Sequence, residues 1–384
     1  MILKLLIKII RLFIKPQKNT LLFHSFPDFS DNSFSFFIYV INNHPEYQNI
    51  WVINDDDKEK FYKLISNYTT SKNFKIHKKK SFLGLYYFSK SKYIFHTHGI
   101  FNNISLSKKQ VNVNLWHGMP LKNIGHLDNN KRVPESNYII STSKLFQEIM
   151  SKAFDLDLEH VINSGQPRND FIFSNKFSLL DLINKQKKDF EKVVLWMPTY
   201  RKSIIGDVRV DGELGNSNNF LEKEQLSKLN TFFESINSIC FVKLHPMDFM
   251  KVKDFNQYSN LCFLDNSVFE EKGISLYSVL NRTDLLLTDF SSIYIDYLLL
   301  DKPIAFLVPD FDQYKNSRGF VFDKPIDFMP GEIIKQKEDL IPFLEKTFID
   351  KQDLYKEKRK KITEVFHESK NNFSQNVFKT IIKK

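Results

Sequence analysis

Cysteine is nearly absent, with only Cys240 and Cys262 in 384 residues. Two cysteines are too few for a disulfide scaffold and show no metal-ligand spacing, so a reducing compartment is expected. Eleven glycines exclude collagen-like and Gly-rich low-complexity designs. There is no GxGxxG and no Walker-type loop, so neither a dinucleotide fingerprint nor P-loop chemistry is indicated. Arginine is scarce, eight residues against 47 lysines. A chain so rich in Lys, Asn, Ile and Phe looks like the product of an AT-rich coding bias, and much of its lysine needs no functional reading. The arginines are the more informative cations, because only their planar fork grips phosphate through two bonds.

What remains is a globular composition, 42% hydrophobic and 26% charged, long enough for two domains with cores of their own. The 55 basic and 45 acidic residues give a net charge of +10, which suggests nucleic acid until the charge is mapped. Residues 1–15 hold Lys4, Lys8, Arg11 and Lys15 and no acid; the last 34 residues hold ten cations and four acids; the stretch between is neutral. A neutral body whose aromatics fall in apolar periods argues against a nucleic-acid partner.

The chain begins MILKLLIKIIRLFIK, in which no uncharged run exceeds three residues. On a helix its four cations fall within roughly 60° of arc, and Leu, Ile and Phe cover the rest. At about 22 Å it is short of the ~30 Å hydrocarbon core. It also lacks the apolar stretch and cleavage site of a signal peptide. Pro16 ends it. Two placements are open, a buried amphipathic helix and an interfacial helix on an anionic leaflet, and the breadth of the apolar face favours the second. Residues 1–16 are therefore expected to anchor the protein peripherally on the cytoplasmic face of the membrane. The basic tail, 350–384, is expected to be a helix on the same side of the molecule.

Between these ends, short apolar runs alternate with helical periods. Strands are expected at 20–26, 50–54, 92–97, 111–115 and 137–141, then at 192–197, 239–244, 284–288 and 303–308. Helical stretches include 34–42, 58–66 and 143–153. Such alternation predicts an α/β protein with parallel sheets covered on both faces. A polar stretch near 174–191 divides it into domains at 17–175 and 190–349, and 202–224 reads as a long loop. No repeat of 20–50 residues is evident.

Five constellations sit at predicted strand ends. In Trp116-His117-Gly118-Met119-Pro120, a histidine beside a glycine is well placed as a general base, or is simply held in a turn. Lys243-Leu244-His245-Pro246 closes a strand, with Pro246 turning the chain out of it and a lysine and a histidine at its end. In Asp289-Phe290-Ser291-Ser292, one serine can cap the following helix, and the second tilts the reading toward an anion site at that helix start. Asp296 lies one turn on, facing the same ligand or solvent. Pro198-Thr199-Tyr200-Arg201 and Gly165-Gln166-Pro167-Arg168 place two of the eight arginines near the expected hinge, each open to a phosphate or to a structural carboxylate partner. Arg318-Gly319 is a weaker sixth. No His, Asp or Glu cluster has metal-ligand spacing.

Taken together these pieces resemble the CDP-glycerol glycerophosphotransferase family, the teichoic acid primases and polymerases. The resemblance rests on WHGMPLKNIG at 116–125, GQPRND at 165–170, PTYR at 198–201, KLHP at 243–246 and DFSSIYID at 289–296. Asp31-Asn32, Lys302-Pro303, Arg318-Gly319, Pro330-Gly331 and Ser374-Gln375-Asn376 extend it over roughly 19–380. It implies a GT-B-like fold, two Rossmann-like domains facing a central cleft, with the acceptor on the first and the nucleotide mainly on the second.

By the same resemblance, His117 is the base that deprotonates the acceptor hydroxyl. His245 stabilises charge on the transferred phosphate or the departing CMP. Ser291 and Ser292 hold the diphosphate, with Asp296 on the glycerol or ribose side. Pro198, Thr199, Lys243 and Leu244 line the nucleotide pocket, and Arg168 reaches donor phosphate. Trp116, Gly118, Met119, Pro120, Arg201 and Arg318 complete the substrate-binding set. CDP-glycerol is then the donor, and no cofactor is bound covalently. Any magnesium is free metal accompanying the diphosphate. The acceptor is polyprenyl-diphosphate-linked or polymeric, at an anionic membrane surface. Met119 stands where the family usually has threonine, which removes a hydroxyl near the base. A CDP-ribitol phosphotransferase, a GT-B glycosyltransferase using a nucleotide sugar and a non-catalytic membrane-surface protein are the alternatives. Retention of both histidines and both serines argues against the last.

Overall fold

The computed structural model describes residues 2–55, 57–101, 104, 106–128, 133–185, 189–199, 219–244, 257–317 and 319–383. Two parallel sheets organise them. The first contains β1 (Gln17–His24), β2 (Gln48–Ile53), β3 (Phe74–Lys78), β4 (Ser91–His96), β5 (Val111–Asn114), β6 (Tyr138–Ser141) and β7 (Val161–Asn163), ordered β3-β2-β1-β4-β5-β6-β7. The second contains β8 (Val193–Trp196), β9 (Ile239–Lys243), β10 (Leu261–Leu264), β11 (Leu285–Thr288), β12 (Ile304–Leu307) and β13 (Glu332–Ile334), ordered β10-β9-β8-β11-β12-β13. Both are doubly wound, as expected for the two Rossmann-like halves of a GT-B-like protein. Strand order reverses between β1 and β4 in one sheet and between β8 and β11 in the other. Open α/β sheets hold ligands beyond the carboxyl ends of the strands at such points.

The central strands form where apolar runs can be buried on both faces. The residues of β8 (VVLW), β11 (LLLT) and β12 (IAFL) are buried throughout. The nine strands read from the sequence are all present. The four not foreseen, β3, β7, β10 and β13, are the four sheet edges.

In the first domain α1 (Ile2–Phe13), α2 (Asp31–Asn43), α3 (Glu59–Ser66), α4 (Phe82–Lys90) and α5 (Lys144–Phe154) accompany the sheet. Strand alternation sorts its side chains. Leu22, Ile50, Val52 and Ile94 pack with α1 and α4, whereas Leu21, Phe23, Trp51 and Phe95 pack with α2. Two short helices, α6 (Asn169–Ile172) and α7 (Leu179–Leu182), lead to the second domain, where α8 (Lys223–Ser235), α9 (Asn266–Lys272), α10 (Ile293–Tyr297), α11 (Phe311–Ser317) and α12 (Leu340–Phe348) follow.

The polar divider at 174–191 is not merely a linker. Ser178 and Asp181 form a capping box that starts α7. Leu179, Leu180 and Leu182 then enter an apolar cluster running from Ile139 and Phe146 to Phe290 and Phe306, so the domains share one core. Most of the stretch read as a loop at 202–224 lies outside the described residues, but its end is helical, from a 3-10 turn at Asn219–Leu221 into α8.

The basic tail is two helices rather than one, α13 (Lys356–Phe366) and α14 (Phe373–Ile381). Arg359 is fully buried on Asp353 at 2.6 Å, and the Lys358 Nζ donates to the carbonyls of Ile326 and Met329. Two cations of the basic cluster thus serve the fold. α14 returns to the first domain, where Asp170 accepts the backbone N–H groups of Phe373 and Ser374. Gly165 (φ 75°) leaves room there for the Phe373 ring. Val377, Phe378 and Ile381 pack on the sheet face opposite to α1, so the expectation that both termini share one side fails for α14.

The N-terminal helix combines the two placements left open. Ile7 and Ile10 are buried against the sheet, with Leu3 and Ile14 beside them. Leu5, Leu6, Ile9, Leu12 and Phe13 remain exposed, the last two at 79% and 80%. Lys4, Lys8 and Lys15 are exposed between these faces. Arg11 is not part of the outward charge: it donates to Gln110 at 3.1 Å and lies over the Phe88 ring. No described helix is long and apolar enough to cross a membrane.

Candidate active site

A cavity of about 730 Å³ lies between the carboxyl ends of the two sheets. The first domain contributes Phe26–Asp31, Asn54, Asp55, Lys60, His117 and Arg168 to it; the second contributes Met197, Lys243, Asn266, Phe269, Glu270 and Ile274–Tyr277. Lys60 Nζ stands 2.5 Å from Asp55 and 3.4 Å from Glu270, a charged bridge between the domains beside the cavity.

His117 enters this space from the loop after β5. The backbone around it is unusual, with Trp116 at φ 48° and Gly118 at φ 139°. Positive φ on both sides of the histidine turns its ring out of the strand direction, and at Gly118 only glycine takes that conformation without strain. A Cβ on Gly118 would lie 2.5 Å from Ser292 Oγ and 3.0 Å from an Arg168 terminal nitrogen, so the domains meet at a missing side chain. The His117 ring packs on Trp116 at 3.9 Å and stacks parallel to His98 at 4.2 Å and 5°.

A buried polar network fixes the loop. Asn32, at the start of α2, donates to the carbonyls of Leu115 and Trp116 and accepts the Arg168 N–H. The Arg168 guanidinium donates to Asp31 at 2.8 Å, to the His117 carbonyl at 2.8 Å and to Asp296 at 2.6 Å. Gln166 adds a 2.6 Å bond to Asp296, and the Tyr277 ring lies 4.4 Å from the guanidinium. Burial works against the Arg168 charge, but Asp296 and Asp31 more than offset it and hold the group above its ordinary pKa. Burial raises the Asp296 carboxyl above the usual range, and Arg168 opposes the rise.

These contacts revise two expected roles. Arg168, only 2% exposed, spends its fork on carboxylates and a carbonyl rather than presenting it to phosphate. Asp296 is wholly buried, so it is neither solvated nor turned to a sugar. Together they tie α10 to the loops of the first domain. Met119 is likewise fully buried among Leu121, Ile139 and Phe146, so its side chain makes no acceptor contact. Leu244 belongs to the core of the second domain, and Pro120 and Pro198 are buried off the cavity. Trp116 is wedged between His117 and Phe154.

In the second domain Lys243, at the end of β9, lines the cavity. Its Nζ donates to Asn266 at 2.8 Å, and burial pushes its pKa down to about 8 against the pull of Asp265. Thr199 donates its N–H, at 2.8 Å, and its hydroxyl to Asp289, which holds the end of β8 beside the end of β11. Ser292 occupies the N-cap of α10, yet its hydroxyl makes no capping bond. It and Ser291 are half-buried next to the Gly118 approach. His245, Arg201 and Arg318 lie outside the described residues. Among the described residues no group of three His, Cys, Asp or Glu side chains is arranged to hold a metal ion.

Sequence reasoning overlooked His98, Lys60 and Tyr277. His98 had a usable signal, since His96-Thr97-His98-Gly99 closes a strand beside the reversal point of the first sheet. Lys60 and Tyr277 had none, because their roles arise only when the domains meet.

Comparison with known proteins supplies the remaining finding. A teichoic acid poly(glycerol phosphate) polymerase of Bacillus spizizenii is 28% identical over 362 residues, covering 86% of this chain and 83% of that protein. The enzyme of the same description from Bacillus subtilis is 26% identical over 353 residues, and there the chain spans only 43% of its length. A poly(ribitol-phosphate) polymerase of B. spizizenii is 29% identical over 280 residues, 67% of this chain and 42% of that protein. The wall teichoic acid polymerase TagF shares the fold, with a TM-score of 0.75 at 21% identity over 99% of this chain and 93% of that one. Residues 7–383 match the family described as CDP-Glycerol:Poly(glycerophosphate) glycerophosphotransferase, and the chain belongs to that family.

Proposed function

We propose that this protein transfers glycerol phosphate from CDP-glycerol to a hydroxyl of a lipid-linked or polymeric acceptor, releasing CMP, in the synthesis of a teichoic acid-like or capsular polymer. The observation that carries the reading is His117, presented by two positive-φ neighbours into a cavity lined by both domains. The acceptor oxygen attacks the phosphorus that bears glycerol, the bond between the two phosphates breaks, CMP departs and His117 takes the hydroxyl proton. Such a reaction needs in-line positioning and donors around the phosphoryl oxygens more than covalent help. Lys243 is the cation that the described residues of the second domain bring to the cavity, and Ser292 lies where α10 meets the His117 loop, with Ser291 before it. His245 is assigned charge stabilisation by its place in the family motif.

The exposed apolar face of α1, flanked by Lys4, Lys8 and Lys15, supports peripheral attachment to an anionic bilayer, the place of a lipid-linked acceptor. The match to a ribitol-phosphate polymerase keeps CDP-ribitol as a second donor.

Purified protein given CDP-glycerol and a lipid-linked disaccharide should release CMP, with mass spectrometry showing one added glycerol phosphate. His117→Ala should lower turnover by about 10²–10⁴ while the fold persists. No CMP with any acceptor would refute the proposal, and turnover with CDP-ribitol alone would replace the donor.

A further inference from the structure

A second cavity, of about 460 Å³, opens at the reversal point of the first sheet. His24 and His96 are register partners at the carboxyl ends of β1 and β4, the position at which doubly wound sheets hold ligands. Its lining includes Leu3, His24, Phe26, Lys79, Lys80 and His98. The contrast with the larger cavity is electrostatic: that one is lined by Asp28, Asp31, Asp55 and Glu270, whereas among the described residues no carboxylate lines this one.

Lys79 is held in an unusual way. His24 Nδ1 donates to the Val52 carbonyl at 2.9 Å, which leaves Nε2 as the acceptor for Lys79 Nζ at 3.1 Å. The ammonium is thus bonded to a neutral ring and keeps its charge for a ligand. Asp28, whose charge acts on Lys79, accepts the N–H groups of Asn54 and Asp55 through Oδ2. Lys80 is exposed beside it.

Two further observations give the groove a direction. It shares Phe26 and Asn54 with the larger cavity, and its His98 ring stacks on His117. Its other end reaches Leu3 of α1, the helix with the outward apolar face. A cationic channel therefore runs from the N-terminal helix to the histidine.

We propose that this groove is the acceptor subsite, in which Lys79 and Lys80 bind a glycerol phosphodiester anion of the acceptor and place its terminal hydroxyl at His117. The proposal rests on the transfer reading above, but its test contains no donor. Full-length protein is titrated calorimetrically with a synthetic tri(glycerol phosphate). Each lysine contributes a charge-assisted contact, so Lys80→Gln should weaken binding about tenfold and Lys79→Met with Lys80→Gln about a hundredfold. CDP-glycerol affinity should stay within about twofold. Lys80 is exposed, so Lys80→Gln tests the groove even where the double variant fails to fold.

No binding of the trimer to the wild type, or unchanged affinity in Lys80→Gln, would overturn the proposal. So would an equal loss of CDP-glycerol affinity, which would make the groove a donor site. Phosphatidylglycerol vesicles carry the same headgroup chemistry. If Lys80→Gln loses these vesicles but keeps the trimer, the groove is a lipid-headgroup site and the proposal falls. Absent CMP release would overturn the transfer reading and leave the trimer result standing.

Discussion

Replacing Arg168 by methionine tests the idea that a buried ion network, rather than a phosphate contact, is this arginine's task. The substitution keeps most of the apolar volume and removes the charge. Asp296 is then left wholly buried with Gln166 but no cation, whereas Asp31, 19% exposed, can turn to water. Removing one partner of a buried pair costs about 3–5 kcal/mol, against a stability of roughly 5–15 kcal/mol for a folded protein. The loss should depend on pH. The folded Asp296 carboxyl already lies above its ordinary range, and losing Arg168 raises it further. For a carboxyl raised on folding, stability is fully present below the unfolded pKa and is lost as pH rises through the folded one. Arg168→Met should therefore be damaged more at pH 8 than at pH 5. Urea unfolding followed by tryptophan fluorescence measures this directly, since Trp116 sits on the network. Arg168→Met combined with Asp296→Leu removes both charges and should recover most of the loss. A penalty below about 1 kcal/mol, equal at both pH values and unrelieved in the double variant, would refute the reasoning.

Gly118→Ala should cost about 1–3 kcal/mol, from the strained φ and the clash with Ser292. Turnover should fall with it, and a thermal melt and a kcat measurement check both. Lys243→Met should stabilise the protein at pH 7 while weakening CDP-glycerol. A lysine depressed from 10.5 to about 8 carries roughly 3 kcal/mol of burial penalty below pH 8. The lost Asn266 bond returns roughly 1 kcal/mol of that, and the gain should shrink between pH 8 and 10.5. A destabilised variant with unchanged donor affinity would count against this. Leu12→Glu with Phe13→Glu leaves the docked face of α1 intact and removes two side chains each worth roughly 2 kcal/mol in lipid. Flotation with anionic vesicles should show about a thousandfold weaker partition at unchanged thermal stability.

How much of this was legible follows from which contacts are local. Residues 193–196 and 285–288 are apolar enough to be read as strands because each is buried on both faces by its neighbours. Edge strands carry a weaker pattern, and β3, with a single buried residue, and β13, with one of three, did not declare themselves. The motif loops were visible as His, Gly and Ser at strand ends. Their side-chain roles were not, since Asp296 finds Arg168 128 positions upstream and Ser292 finds the gap at Gly118. Spacing along α10 placed Asp296 one turn from Ser292 and suggested a shared ligand. The domain interface gave it a different partner.

The same logic redistributes the net charge. Arg11 and Arg359 serve the fold, and α14 covers the sheet face opposite to α1. The outward cations at the N-terminus, Lys4, Lys8 and Lys15, share a surface with exposed apolar side chains. A helix that docks Ile7 and Ile10 inward cannot roll to present those residues outward, so on the proposed reading its outer face fixes how the first domain meets a bilayer. That face adjoins the Leu3 end of the cationic groove and lies on the sheet side away from α14. On the proposed reading, an acceptor held by its lipid enters beside α1 and meets His117 through the first domain. The donor reaches the same histidine across the interdomain cavity from Lys243. On that reading the two substrates need no common entrance, because the groove beside α1 and the interdomain cavity meet at Phe26 and Asn54.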